Sequence, residues 1–464
     1  MPSHCFKVPA IALFMIASLA LGSFVVPAAA SAAISRHTLM RRAKPVSRVA
    51  AVTRDSVAVP AMVTDTLHFE PAEADTSDPA QRLERPRHAV EDEWLEAPFG
   101  DDLLTNLDRW RAGHKRVNDD DLIVDYNRVD QLRLGLHTEY GPLTGLRPRL
   151  GARFEYAFGR DRPLYGFQIE QPLVEDGRFG LGVSFARRTA HSELQQLQDV
   201  ENSLALLFGR QDYRDYFERE GADAYAIWRV PDFSTISVHV REDQWRSLGL
   251  LRGTRSWFHT DRPLRDNPAI DDGDSRTVTL RMERLAHRSA HTRAGAYHWL
   301  ELERAGAGMG GDFEYTRGLA DLRSVLRLSP ATTLSLRTVA GSTFAGALPR
   351  QKEFTAGGVD GLRGHTFGAY RGNQIALAQA EYTVGLWSIS NELFEGGLHA
   401  IVFLDMGRAW QNAGNHFDAA RQPMQADGGF GFSTSEENVR IYFARNLQQP
   451  ESDFVVSLRL QRPF

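Results

Sequence analysis

Apolar and polar side chains alternate with a period of two along most of this chain, from about residue 122 to its end. Between residues 233 and 241, for example, Ile236, Val238 and Val240 take every second position and polar side chains take the others. Successive side chains of a β-strand point to opposite faces of a sheet, so each such segment predicts a strand with one apolar face. About fifteen segments of this kind predict an all-β fold.

Soluble β-sandwiches also consist of alternating strands. Here the segments run to roughly ten residues or more, and their polar faces are rich in arginine, which suits a water-filled lumen. No later segment approaches the ~20 apolar residues of a membrane-spanning helix, which excludes a helical membrane protein. The pattern therefore favours a transmembrane antiparallel β-barrel, whose strands expose only alternate residues to lipid.

The connections between the predicted strands differ in length on the two sides of the sheet. Counting back from Phe464, the long connections lie near residues 190–221, 245–274, 305–311, 342–372 and 409–424. The short connections lie near residues 232, 288–289, 330, 387–394 and 436. Long outer loops, short periplasmic turns and an even strand number are typical of bacterial barrels. We predict about sixteen strands, with fourteen as the alternative, and place the first of them N-terminal to residue 128.

Residues 1–30 have the features of a secretory signal peptide. Lys7 precedes the apolar run Val8–Pro27, and Ala28–Ala30 offers a small-residue cleavage site. A retained anchor helix is the alternative, but the small-residue exit fits export better. Cys5 is the one cysteine of the sequence, so we expect the exported chain to have no disulfide and no thiol chemistry.

The segment 31–121 precedes the barrel, which we place at residues 122–464. The segment is rich in Ala, Pro, Asp, Glu and Arg and lacks apolar periodicity, so we predict that it is a mostly disordered linker. Within it, residues 102–112 fit a short amphipathic helix with Leu103 and Leu107 on one face.

A glycine-rich motif lies in one of the long predicted outer connections, at residues 342–372. It consists of Gly357, Gly358, Leu362, Arg363, Gly364 and His365. Glycine accepts positive φ and lets two backbones approach closely, so an arginine flanked by glycines can fold back into a crowded interior. The motif therefore predicts a loop that turns into the lumen of its own barrel.

These residues resemble the inward-folded loop motif of the BamA/TamA/two-partner-secretion superfamily, the bacterial surface antigen barrels. A second motif supports the resemblance: Phe403, Asp405 and Gly407 match the Phe-x-Asp-x-Gly that a later strand carries in that superfamily. The resemblance covers roughly residues 122–464. It implies a sixteen-stranded outer-membrane barrel and a contact between Arg363 and Asp405.

The alternation around residue 400 leads to the same pair. Val402 and Leu404 lie on the apolar face, so Asp405 points to the lumen, where a carboxylate needs a cation. Arg363 can supply it through a bidentate, charge-assisted contact that a lysine cannot make. Glu381, on the preceding strand, is expected to join this network. The alternative places Arg363 in solvent on an outer loop.

Two features depart from the family pattern. His365 stands where the family usually has Phe or Tyr, so stacking at the loop tip is in doubt. Members that insert or secrete proteins also carry periplasmic POTRA domains of strand-helix-helix-strand-strand pattern. Residues 34–121 show no such pattern. The chain thus resembles the superfamily members that lack POTRA domains.

The resemblance implies a non-catalytic barrel that acts in outer-membrane protein assembly or in polypeptide or lipid translocation, by opening between its first and last strands. The expected partners are outer-membrane lipid, the barrel-assembly machinery for its own insertion, and an unfolded polypeptide or lipid cargo. A plugged channel or porin-like surface protein is the alternative. A barrel lipid hydrolase is a weaker one, because no Gly-x-Ser-x-Gly elbow occurs.

We expect no cofactor, metal or nucleic acid. The net charge of −5 does not suggest a nucleic-acid partner. The acidic run Asp271–Asp274 lacks the spaced ligands and closing Glu of a calcium loop. At the C-terminus, Leu458, Leu460 and the terminal Phe464 fit the alternating signal by which a barrel is recognised for insertion.

Overall fold

The computed structural model describes residues 118–460, apart from residues 142–144, 193, 195–196, 231–232, 259–262, 285–293, 392–393, 415, 435–438 and 450. The predicted signal peptide at 1–30, the helix at 102–112 and the terminal Phe464 lie outside these residues. The same holds for all of the predicted linker except its last few residues.

Eighteen strands and one α-helix, α1 (Asp199–Gly209), make up the regular structure of this part of the chain. The strands are β1 (Asn118–Asn127), β2 (Gln131–Tyr140), β3 (Arg149–Ala157), β4 (Arg162–Pro172), β5 (Phe179–His191), β6 (Tyr216–Val230), β7 (Ser234–Ser247), β8 (Gly273–Arg284), β9 (Gly295–Ala305), β10 (Tyr315–Ser329), β11 (Thr332–Gly346), β12 (Phe354–Ala356), β13 (Tyr370–Gly372), β14 (Gln374–Asn391), β15 (Phe394–Trp410), β16 (Gln425–Thr434), β17 (Arg440–Asn446) and β18 (Val455–Arg459). Three short 3₁₀ turns lie at Ala307–Met309, Arg350–Lys352 and Ala419–Arg421.

Sixteen of these strands form one antiparallel sheet in chain order, and this confirms the predicted barrel with sixteen strands rather than fourteen. The strand that sequence counting had missed is β1, which lies N-terminal to residue 128 as predicted and begins at Asn118. The strands β12 and β13 form a separate hairpin within the connection between β11 and β14. No helix among the described residues is long and apolar enough to span a membrane.

The strands bury their polar face and expose their apolar face, the reverse of a soluble sheet. On β8, Thr277, Thr279 and Arg281 are buried. Their neighbours Val278 and Leu280 are exposed. A strand that contacts lipid outside and polar groups inside has this arrangement. Burial therefore decides against the sandwich alternative.

Two connections between strands contain structure that contacts the charged interior of the barrel. The β5–β6 connection contains α1, and the β11–β14 connection contains the glycine-rich motif. An apolar cluster inside the barrel holds the second of them. Leu362 and Phe354 pack there against wall residues that include Trp299, Val339 and Leu377, all of them buried. Apolar packing therefore helps to position the loop independently of its charged contacts.

Candidate functional site

The glycine motif forms a compact turn within the β11–β14 connection. Gly357 and Gly358 have φ of 112° and 91°, in the region that favours glycine. The Gly358 N–H donates to the carbonyl oxygens of Leu362, at 3.0 Å, and His365, at 3.1 Å. The turn thus closes on itself and projects Arg363 from its tip.

Arg363 lies in a buried carboxylate site on the barrel wall. Its Nε and Nη2 donate to the two Asp405 oxygens, each at 2.7 Å. Its Nη1 donates to Glu381 Oε2 at 3.0 Å. The side chains of Asp405 and Glu381 come from the neighbouring strands β15 and β14 and are buried. The guanidinium therefore joins two strands through three charge-assisted hydrogen bonds.

Aromatic rings line the guanidinium as well. The Arg363 Cζ lies 3.7 Å from the centre of the Phe403 ring and 4.8 Å from that of Tyr442. A planar guanidinium stacks on rings in this way, whereas an ammonium group does not. Burial lowers the pKa of the Arg363 guanidinium, but Asp405 and Glu381 more than offset this effect and raise it above its usual value. Arg363 therefore stays charged.

Glu381 has two further partners on β17 that sequence reasoning missed. Arg440 makes an ion pair with Glu381, and the Tyr442 hydroxyl donates to Glu381 Oε2 at 3.0 Å. Both residues lie on the lumen face of β17, with Ile441 between them on the exposed face. The alternation of the sequence predicts that Arg440 faces the lumen. It does not predict that Arg440 pairs with Glu381, because many lumen positions carry arginine.

The adjoining residues of the motif bind the next strand, β16. The Gly364 N–H donates to Asp427 Oδ2 at 2.6 Å, and His365 Nδ1 lies 2.9 Å from Asp427 Oδ1. His365 also contacts the Tyr370 hydroxyl through Nε2, at 3.2 Å. A Cβ on Gly364 would lie 2.7 Å from the carbonyl carbon of Arg445, so only glycine fits there. The histidine thus makes a polar contact with the wall and an edge-on ring contact with Tyr370, with ring centres 5.3 Å apart.

The loop also reaches β18. Arg459 Nη1 donates to Asp360 Oδ1 at 2.9 Å. Together with the contacts to Glu381, Asp405, Asp427 and Tyr442, this connects one loop to the last five strands of the sheet. Gly407 lies on β15 opposite Leu377 of β14. Of the predicted C-terminal signal, Leu458 is exposed on β18 and Leu460 is half-buried.

Comparison with known proteins places this site in a family. Residues 278–441 match the Omp85 superfamily domain, and this stretch contains the loop, Glu381 and Asp405. The match covers about a third of the sequence, and this part of the chain is similar to the Omp85 superfamily. With the barrel fold, it identifies an outer-membrane protein. No curated protein sequence matches this chain.

Comparison with solved structures concerns the fold of this barrel. BamA from Haemophilus ducreyi lacking POTRA domains 1–3 matches with a TM-score of 0.51 and 13% identity, over 74% of this chain and 71% of that one. CdiB from Escherichia coli matches with a TM-score of 0.40 and 12% identity, over 75% of this chain and 62% of that one. The second likeness is too low to add to the fold assignment.

The contacts of this site hold the loop in place on the barrel wall. Its charged groups bind one another in the described structure and are closed off from solvent. Within the described ranges, no group of three or more His, Cys, Asp or Glu side chains is arranged to hold a metal ion. What the arrangement can do chemically is to fix a loop against the wall of the lumen.

Proposed function

We propose that this barrel acts in outer-membrane protein assembly, or in polypeptide or lipid translocation, by opening the sheet between β1 and β18. The observation that carries the proposal is the position of the loop. It braces the wall beside the proposed opening, from β14 to β18, and leaves β1 and β18 as the two ends of the sheet. The proposal assigns the barrel no catalytic step.

The packing beside the loop supports a route through the wall. Cavities that border the loop, lined by residues such as Arg337, Val359, Phe367 and Lys352, have volumes of about 20 to 40 Å³. A space of that size holds one or two water molecules. A polypeptide or a lipid needs far more room, and a seam between strands can provide it without removal of the loop.

Photo-crosslinking in the native outer membrane tests this proposal. A photoreactive residue replaces Val124, exposed on β1, or Val240, exposed on β7 in the middle of the sheet. Both are outward-facing valines, so they differ mainly in their distance from the seam. We expect adducts with unfolded outer-membrane polypeptide, or with one lipid class in excess over bulk lipid, at position 124 only. Mass spectrometry of the adduct distinguishes the two cargoes.

Equal adducts at the two positions would contradict the proposal, as would bulk lipid alone at both. A second readout is the abundance of other outer-membrane barrels and the outer-leaflet lipid composition in a strain without the gene. If both are normal, a role in assembly or translocation fails.

A plugged channel is the second candidate, because the loop occupies the lumen. Deletion of Phe354–His365 removes both the hairpin strand β12 and the Arg363 site. Planar-bilayer conductance that rises after this deletion favours a channel. Unchanged conductance counts against it.

A further inference from the structure

Helix α1 contacts both ends of the sheet through main-chain groups. The Tyr126 N–H of β1 donates to Ser203 Oγ at 2.8 Å. The N–H of Leu460, directly after β18, donates to Glu201 Oε1. Main-chain N–H groups lie in the plane of a sheet, and at an edge they point away from it. One helix therefore occupies the position beside β1 and beside β18 where another strand would otherwise pair.

Side-chain contacts strengthen both attachments. Ser203 Oγ donates to Asp125 Oδ1 of β1 at 2.9 Å. Arg459 Nε of β18 donates to Glu201 Oε1 at 3.3 Å. Asp199, in the first turn of the helix, lies 3.5 Å from Arg133 Nη2 of β2. These carboxylates and the serine are buried, so the helix turns its polar side towards the charged interior of the barrel.

One side of α1 carries apolar residues, of which Val200 and Phe208 are exposed and Leu204 is half-buried. Val200, Leu204 and Phe208 follow one another at intervals of four residues and so form a stripe along one face. The exposed fractions are 40% for Val200 and 42% for Phe208. A helix packed on a protein core has its apolar face buried. Here Leu206 is buried beside the polar residues, whereas Val200 and Phe208 are open, as expected of a helix between a polar lumen and lipid.

The two end strands of the sheet also expose apolar residues. On β1, Val124 is 51% exposed, and on β18, Val456 is 56% exposed. Both belong to the outward apolar faces of strands that end the sheet on either side of α1. The helix therefore shares exposed apolar residues with both strands that it contacts.

An aromatic group marks the outer end of this surface. The Phe208 ring packs edge-on against Trp257, with centres 4.9 Å apart, and lies 6.1 Å from Phe258. The Tyr126 hydroxyl, on the outward face of β1, donates to the Arg255 carbonyl at 2.9 Å and so holds this loop against the strand. Exposed Trp and Phe side chains are typical of the level where membrane and water meet.

We propose that α1 fills the wall between β1 and β18 and that its apolar stripe contacts the acyl chains of outer-membrane lipids. The ends of the sheet are then joined by a helix from an outer loop, through side chains of its polar face. This placement does not depend on the proposed transport role. It makes α1 the element that any opening of the seam has to displace.

Lipid-embedded quenchers test the placement. Since Cys5 is the one cysteine and lies in the predicted signal peptide, single cysteines can be labelled selectively in the otherwise intact exported chain. An environment-sensitive fluorophore is attached to Val200→Cys or Phe208→Cys in protein reconstituted into phosphatidylcholine vesicles. Val124→Cys on β1 is the lipid-facing control, and Glu451→Cys on an outer loop is the water-facing control. Heat-dependent gel mobility shows that each variant is folded.

With brominated acyl chains, we expect the labels on α1 to be quenched to within about twofold of the Val124 label. Aqueous iodide is expected to quench the Glu451 label several-fold more than either label on α1. Iodide quenching on α1 equal to that at Glu451 would place the stripe in water and overturn the proposal. Protection from both quenchers would place protein over the stripe, and that result also overturns it.

Discussion

The contact between Arg363 and Asp405 permits a quantitative prediction, because the barrel contains a second arginine–carboxylate pair of the same length in a different environment. Arg363 Nη2 and Asp405 Oδ1 are 2.7 Å apart, and the side chains are 1% and 0% exposed. Arg276 Nη2 and Glu242 Oε1 are also 2.7 Å apart, but those side chains are 44% and 63% exposed. The two ion pairs therefore have the same length and differ in burial.

Removal of one partner from a buried pair leaves an uncompensated charge, which costs about 3–5 kcal/mol. We expect Arg363→Ala to lower the free energy of unfolding by about that amount. Asp405→Ala is expected to lower it by less, because Glu381 still pairs with Arg363. An exposed pair contributes about 1 kcal/mol or less, so Arg276→Ala is expected to cost no more than that. In the double variant of Arg363 and Asp405 neither charge is left alone. Its cost is then smaller than the sum of the single costs by about 2–3 kcal/mol.

The assay is urea unfolding of the barrel in detergent or lipid vesicles, followed by the gel mobility of unheated samples. The reasoning fails if the two single costs add to within about 0.5 kcal/mol of the double variant, because residues in contact are expected to couple more strongly than that. It also fails if Arg276→Ala destabilises the barrel as much as Arg363→Ala does. In that case burial does not determine the strength of the pair.

Three further variants address the loop and helix α1. Arg363→Lys keeps the charge but loses the bidentate geometry and the ring stacking, so we expect it to cost about 2 kcal/mol in the same unfolding assay, and a loss below about 0.5 kcal/mol contradicts this. Gly364→Ala forces the loop away from β16 and is expected to lower the free energy of unfolding by about 1–3 kcal/mol. Gly308→Ala is the control, because a Cβ there meets open space and should cost little. Equal losses in the two variants would refute the steric argument. Ser203→Ala removes the acceptor for the Tyr126 N–H, so we expect faster amide exchange in β1, by about tenfold, and an unchanged rate in β7. Uniform exchange across both strands would show that the helix does not protect the edge.

Sequence periodicity was sufficient for the architecture of the barrel. Because lipid outside and charge inside require opposite faces, the alternation by itself assigns residues such as Thr279 to the lumen and Leu280 to lipid. The asymmetry of the connections led to the sixteen-stranded sheet and to the position of its first strand. The glycines of the loop indicated a turn, and a lumen carboxylate indicated the need for Arg363 nearby.

The rest of the site depends on distances that periodicity does not determine. Asp427 and Tyr442 lie on strands far from the motif in sequence, and only the register of β16 and β17 brings them to the loop. Helix α1 was missed for another reason. Its segment was interpreted as part of a long outer connection, and its apolar face does not pack on a protein core. The eleven residues of the helix do not by themselves show which of its sides faces the lumen.

The attachment of one loop to all five C-terminal strands affects how this protein unfolds. The strands β14 to β18 share an anchor in the residues from Asp360 to His365, so loss of that anchor weakens them together rather than one at a time. Native-state amide exchange should therefore find them opening as one cooperative unit, with a common free energy. The strands β9 and β10 contact the same connection through Trp299 and Leu319, which pack with Leu362, and through the ion pair of Glu303 with Lys352. We therefore expect their exchange to follow that of the unit more closely than the exchange of β2 to β4 does.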